Sequence, residues 1–147
     1  MVKPQVTRFA FPWQGALHFS SSVRADELVF ASGQAGFKAE GGLAGDDFET
    51  QCRQAFDNLD QVFRAQGASL DSMVRLNAFF SDAAQYADFK RIRADYLTAP
   101  YPASTAVVVG FVFPGMLVEL EGIAVRGGAV RETDPESEAY GGTDAAG

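Results

Sequence analysis

The spacing of apolar residues switches several times along this chain, and each switch marks an element. Leu28 to Ser32 is a short buried-type strand, preceded by a weaker one around Ala16 to Phe19 and followed by another near Ala35 to Lys38, before the Gly41-Gly42 turn. Phe48, Cys52, Ala55, Phe56, Leu59, Val62 and Phe63 then recur at helical spacing, with Asp46 or Asp47 as N-cap and Gly67 at the C-terminal end. Met73 to Phe80 returns to strand composition. Ser81 or Asp82 can cap a second helix whose apolar stripe is Tyr86, Phe89, Ile92, Tyr96 and Leu97, ended by Pro100 and Pro102. Two apolar, β-branched runs around the Phe113-Pro114-Gly115 turn close the pattern between Pro102 and Val125.

The resulting order, β-β-β-α-β-α-β-β, predicts an α+β fold: a mixed β-sheet with two helices packed on one face. A sheet bearing Val, Phe and Leu on both sides, with helices enough for one side only, leaves an apolar patch in water. Closed cyclic assembly is the usual remedy, so the chain is expected to associate with itself. The last run carries Glu119 and Glu121 two residues apart, and the strand period of two sends both carboxylates out of one face. Salt bridges across the sheet, a wet face and a cleft each account for acids in an otherwise apolar strand.

Composition adds boundaries. With 147 residues, 47% hydrophobic and 12% aromatic, the chain fits one domain over residues 1–126. Residues 127–147 are rich in Gly, Ala and acids, with Glu132, Asp134, Glu136, Glu138 and Asp144 against Arg131, and are expected to form a disordered, solvated tail. A net charge of -7 and pI near 4.6 oppose nucleic acid as partner. No apolar stretch reaches the length of a membrane span and Met1 to Ala10 holds no apolar signal segment, which points to the cytoplasm. Cys52 is the sole cysteine, so no intrachain disulfide forms, and its helical position marks it as core. The sole histidine, His18, has neither an HxxxH nor a Cys partner, so no metal is expected, and no cofactor either. Lys90-Arg91-Ile92-Arg93, flanked by Asp88 and Asp95, fits a solvated helix face.

The segment Pro102 to Val125, with Val118-Glu119-Leu120-Glu121, resembles the closing hairpin of the Rid family, known too as YjgF or endoribonuclease L-PSP. The likeness extends through Ser32-Gly33-Gln34 and Gln54-Ala55-Phe56-Asp57-Asn58-Leu59 and so covers roughly Phe19 to Val125. It implies a chorismate-mutase-like protomer in a homotrimer, with clefts between neighbouring subunits. The best-known members hydrolyse reactive enamines and imines. By this resemblance Glu121 helps hold a water in the cleft as the catalytic group, while Phe19, Ser32, Gly33, Gln34, Ser104, Ala106 and Val107 face the ligand. Members active on imines carry arginine at the position of Ser104, where a guanidinium fork grips the substrate carboxylate in a way that a hydroxyl cannot. Phe19 replaces a tyrosine, Lys90 an asparagine and Ala106 a small thiol.

Two readings follow. The first is a Rid-type hydrolase acting on a small enamine, imine or amide, with weak or absent turnover of amino-acid-derived imines. The alternative is a noncatalytic trimer that binds a small apolar or neutral metabolite in the same cleft. An endoribonuclease would need a basic track and stacking aromatics, which the acidic balance opposes.

Overall fold

A computed structural model describes residues 6–10 and 17–128. Along them run β1 (Val6–Phe9), β2 (Ser22–Ala25), β3 (Leu28–Ala35), α1 (Phe48–Arg64), β4 (Met73–Phe80), α2 (Tyr86–Tyr96), β5 (Ala103–Val108) and β6 (Val118–Val125). The strands form one six-stranded sheet in the order β1-β2-β3-β6-β4-β5, antiparallel except for the β4–β5 pair. Both helices lie on one face, so the α+β expectation holds.

α1 forms where its spacing predicts it. The Asp47 carboxylate accepts from the Thr50 amide at 2.9 Å, satisfying one of the amides that the first turn leaves without a partner, and Glu49 and Arg64 match the helix dipole at the two ends. Its buried stripe of Cys52, Ala55, Phe56, Leu59, Val62 and Phe63 meets Val29 and Ala31 of β3 and Leu120 and Ala124 of β6. α2 adds Phe89 and Ile92, and Phe89 packs at 4.9 Å from the ring of Phe80. Phe56, Phe63, Phe80 and Phe89 are each fully buried, worth about 1.5–3 kcal/mol apiece as area removed from water.

The ends of the chain depart from expectation. Residues 17–20 hold no strand, and the strand that pairs with β3 is Ser22–Ala25, whose polar sequence gives no apolar signal. The strand expected near Ala35 to Lys38 is the end of a longer β3, followed by an isolated Phe37–Leu43 bridge. β5 and β6 do not form a hairpin: β4 lies between them, parallel to β5 and antiparallel to β6. The connection is tied down by Gln51 of α1, whose amide donates to Gly45 O and Gly115 O and accepts from the Leu117 amide, each at 2.9 Å. Trp13, Phe11 and most of the acidic tail lie outside the described residues.

Among the described residues nothing covers the sheet face away from the helices. Val6, Leu28 and Phe30 are exposed there, and every residue of β5, the edge strand, is exposed.

Candidate functional site

β6 alternates strictly. Val118, Leu120, Gly122 and Ala124 are buried under the helices, so Glu119 and Glu121 share the helix-free face. Glu119 stands opposite Phe79 of β4 and Ala35 of β3, and Glu121 opposite Asn77, whose Nδ2 donates to Glu121 Oε1 at 3.1 Å. Among the described residues no ion pair reaches either carboxylate, which removes the cross-sheet salt bridge as their explanation.

The β3–β6 register jumps between Ala31 and Gln34, leaving Ser32 and Gly33 together opposite Glu121. Two residues facing one is a β-bulge, a device that re-aims the strand beside it. Gly33 fills a particular need here: a Cβ built on it would lie 2.2 Å from Glu119 Oε1. The space beside the Gly33 backbone, expected to face the ligand, is taken within the chain by the Glu119 carboxyl. Glu119 is half-buried there, and burial first, then repulsion from Glu121, pushes its carboxyl above the usual carboxylate range. A carboxyl that holds its proton to higher pH is a candidate proton donor. Glu121, the expected catalytic group, stands two residues along on the same face.

Ser32 is partly exposed, with Oγ donating to Ser20 O at 2.6 Å and its amide bonded to Ser21 O at 2.9 Å. These contacts pin the backbone of Ser20 and Ser21 beside the bulge; Phe19, the residue before them, is about half exposed at 48%. His18 is exposed with φ 58°. Gln34, expected to face the ligand, is buried at 5% exposure within the chain, and its amide folds back to donate to Ser32 O at 3.0 Å across the bulge.

β5 carries the remaining expected residues, and its register divides them. Thr105 and Val107 pair with Asn77 and Phe79 and share the face of Glu119 and Glu121. Ser104 and Ala106 pair with Leu76 and Ala78 and point to the helix side. The hydrogen bond from Arg75 to Thr105 Oγ1 at 2.8 Å fixes that alternation. Within one chain, therefore, Ser104 and Ala106 do not meet the carboxylate pair. Ala106 borders instead a groove of about 400 Å³ that it lines with Phe80, Ala83, Tyr86, Val107 and Val108. Lys90 is on the neighbouring helix turn, with Nζ 5.9 Å from the Tyr86 ring centre, while Arg91 is engaged by Glu49 and Asp88.

Cys52 is fully buried, and burial pushes its thiol up to about 12, which fits the core role and excludes a thiolate nucleophile. Asn77 and Tyr86 are the site residues that sequence reasoning passed over. An asparagine inside the otherwise apolar Leu76-to-Phe80 run was the available signal for the first. Tyr86 was read as part of an apolar stripe.

The endoribonuclease L-PSP family model matches residues 13–126. The mitochondrial protein mmf2 of Schizosaccharomyces pombe is 32% identical over 111 residues, covering 74% of this chain and 87% of the relative. A mouse protein named 2-iminobutanoate/2-iminopropanoate deaminase is 28% identical over 110 residues, 74% of this chain and 82% of its own. Among solved structures, RidA from the Antarctic bacterium Psychrobacter superposes with TM-score 0.72 at 32% identity, over 85% of this chain and 99% of that one.

Proposed function

We propose, for a chain that belongs to the endoribonuclease L-PSP or Rid family, that it is a homotrimeric hydrolase acting on a small neutral enamine, imine or amide in a cleft between subunits. The observation that carries this is Glu119 seated over Gly33 in the bulge, with its proton affinity raised and its carboxyl on the sheet face that no helix covers. For an imine the step is addition of water across the C=N bond. Glu119 gives a proton to nitrogen as water oxygen bonds to carbon, and the carboxylate takes back a proton from the added water. Its second delivery to the amine accompanies loss of the remaining hydroxyl proton as the adduct collapses to ammonia and a carbonyl, restoring the acid. Glu121 and the backbone near Val107 hold the water, and Phe19 supplies an apolar wall.

The two halves of the expected site support the intersubunit placement. Ser104 and Ala106 point away from Glu119 within a chain, so a cavity containing all three takes them from different copies. A neutral substrate follows from Ser104, since a carboxylate brought beside acidic groups without a guanidinium meets both repulsion and desolvation. The net charge of -7 favours a small molecule over RNA. We place the protein in the cytoplasm as part of the same proposal.

The test is a thermal-shift screen of matched acid and amide pairs, followed by hydrolysis assays on those that bind. A ligand at a hundredfold excess over its Kd stabilises the folded state by about 2.7 kcal/mol per site. Amides and neutral imines should stabilise and be hydrolysed, Glu119→Gln should bind without turnover, and 2-iminopropanoate generated by an amino-acid oxidase should decay no faster than without protein. Selective stabilisation by carboxylates, or a monomer by native mass spectrometry at micromolar concentration, overturns the proposal.

A further inference from the structure

The helix-free face sets five polar groups of three strands in a small grid. Glu119 and Glu121 stand on β6, Asn77 and Arg75 on β4, and Thr105 on β5 engages Arg75. Two carboxyls two residues apart on one strand face are separated by roughly 7 Å along the backbone, close enough to couple through half-buried surroundings. Where each points is settled by different neighbours. Glu119 is turned toward the bulge and occupies the space that a Gly33 side chain would take. Glu121 is turned the other way across the ladder, where Asn77 Nδ2 reaches its Oε1 at 3.1 Å. Asn77 Oδ1 is buried without a hydrogen-bond partner among the described residues. An amide left with one orphaned end is held in place by its other end, here the bond to Glu121.

We propose that Asn77 is a positioning residue for the acid pair: by holding Glu121 on the β4 side of the ladder, it leaves Glu119 seated over Gly33 as the site's acid. The assignment rests on reading Glu119 as the site's acid. No other charge facing the pair does this work. Among the described residues β3 offers Ser32, Gly33 and Ala35, β5 offers Thr105 and Val107, and the Arg75 guanidinium is directed to Thr105 Oγ1 with no carboxylate as partner. The repulsion from Glu121 is the second cause of the raised proton affinity of Glu119, after burial. That repulsion depends on Glu121 staying in place; once released, its side chain is free to turn toward water.

The measurement is a carbon-13 NMR titration of the Glu119 side-chain carboxyl in the full-length protein, wild type against Asn77→Leu, Asn77→Ser and Glu121→Gln. Each variant should lower the Glu119 midpoint toward the ordinary carboxylate range, since each removes or frees the Glu121 charge that adds to the effect of burial. A merely structural role for Asn77 would change stability and leave the midpoint where it is. Should the leucine variant fail to fold, the smaller serine still removes the amide, and Glu121→Gln removes the charge without touching β4. An unchanged Glu119 midpoint in a folded Asn77 variant, or in Glu121→Gln, overturns the proposal. Because the readout is a proton and not turnover, a protein that hydrolyses nothing would refute the proposed function while leaving this inference to be decided by the titration.

Discussion

Gly33→Ala separates the stability of this fold from the state of its site. The added methyl would lie 2.2 Å from Glu119 Oε1, 2.6 Å from its Cδ and 3.0 Å from its Cγ, so something must move. What moves is the far end of a flexible side chain, since Glu119 can rotate off the bulge toward water. Moving it costs about 0.5–1.5 kcal/mol if a strained rotamer results. In return, Ala at a position whose φ is not left-handed narrows the unfolded ensemble by about 0.4–1 kcal/mol, and the carboxyl regains solvent. The two effects nearly cancel, and the net change should fall within about 1 kcal/mol of zero.

Three residues along, the same substitution has no such escape. A Cβ at Gly36 would meet Gln51 Cα at 2.7 Å, its carbonyl oxygen at 2.8 Å and its Cβ at 2.9 Å, and the backbone of α1 cannot step aside. Gly36→Ala should cost about 2–3 kcal/mol or more, as overpacking does. Urea denaturation of the two variants measures the contrast, and the carbon-13 titration reports the site. Gly33→Ala should bring the Glu119 midpoint down toward its ordinary range and abolish turnover, while Gly36→Ala should weaken the fold first. A Gly33→Ala variant destabilised by more than about 2 kcal/mol, or one with the Glu119 midpoint unmoved, would refute the idea that this glycine exists to seat the carboxyl.

Glu119 has its proton affinity raised in the folded state, so its contribution to stability is fully present below the unfolded pKa and is lost as pH rises through the folded one. Glu119→Gln should therefore raise Tm more at about pH 8 than at about pH 4, and equal shifts at the two pH values would contradict the cause assigned to it. Cys52, pushed up to about 12 and fully buried, should resist iodoacetamide in the native protein and react only on unfolding; rapid alkylation of the folded protein would place it outside the core.

α1 and β4 are the elements that sequence patterning resolves best, and the reason is physical. Seven apolar residues at helical spacing between an Asp cap and a glycine leave α1 one way to bury its stripe, and Met73 to Phe80 is recovered residue for residue. β1 and β2 carry no comparable pattern. Ser22-Val23-Arg24-Ala25 is a strand because β3 pairs with it and because Ser22 Oγ finds Val62 O at 3.0 Å, neither of which is local information. The misplaced hairpin has the same origin: β5 and β6 are neighbours in sequence, but β4 takes the place between them, and Gln51 anchors the connection that makes this possible.

The site was legible only as far as the strand period reaches. Alternation alone places Glu119 and Glu121 on one face, but it cannot say which of them meets the Ser32-Gly33 turn, because the bulge inserts a residue and redirects what faces what. The same arithmetic on β5 carries further consequences. An offset of one residue separates Ser104 and Ala106 from Val107, and so sends the expected ligand-facing residues to opposite sides of the sheet. If Glu119, Ser104 and Ala106 act on one ligand, the exposed edge of β5 in one copy must approach the bulge of another, which ties chemistry to assembly. On the proposed function the uncovered face and the divided site have one explanation, a neighbouring copy that completes both, and a variant that holds the chain as a monomer should then lose the ligand together with the interface.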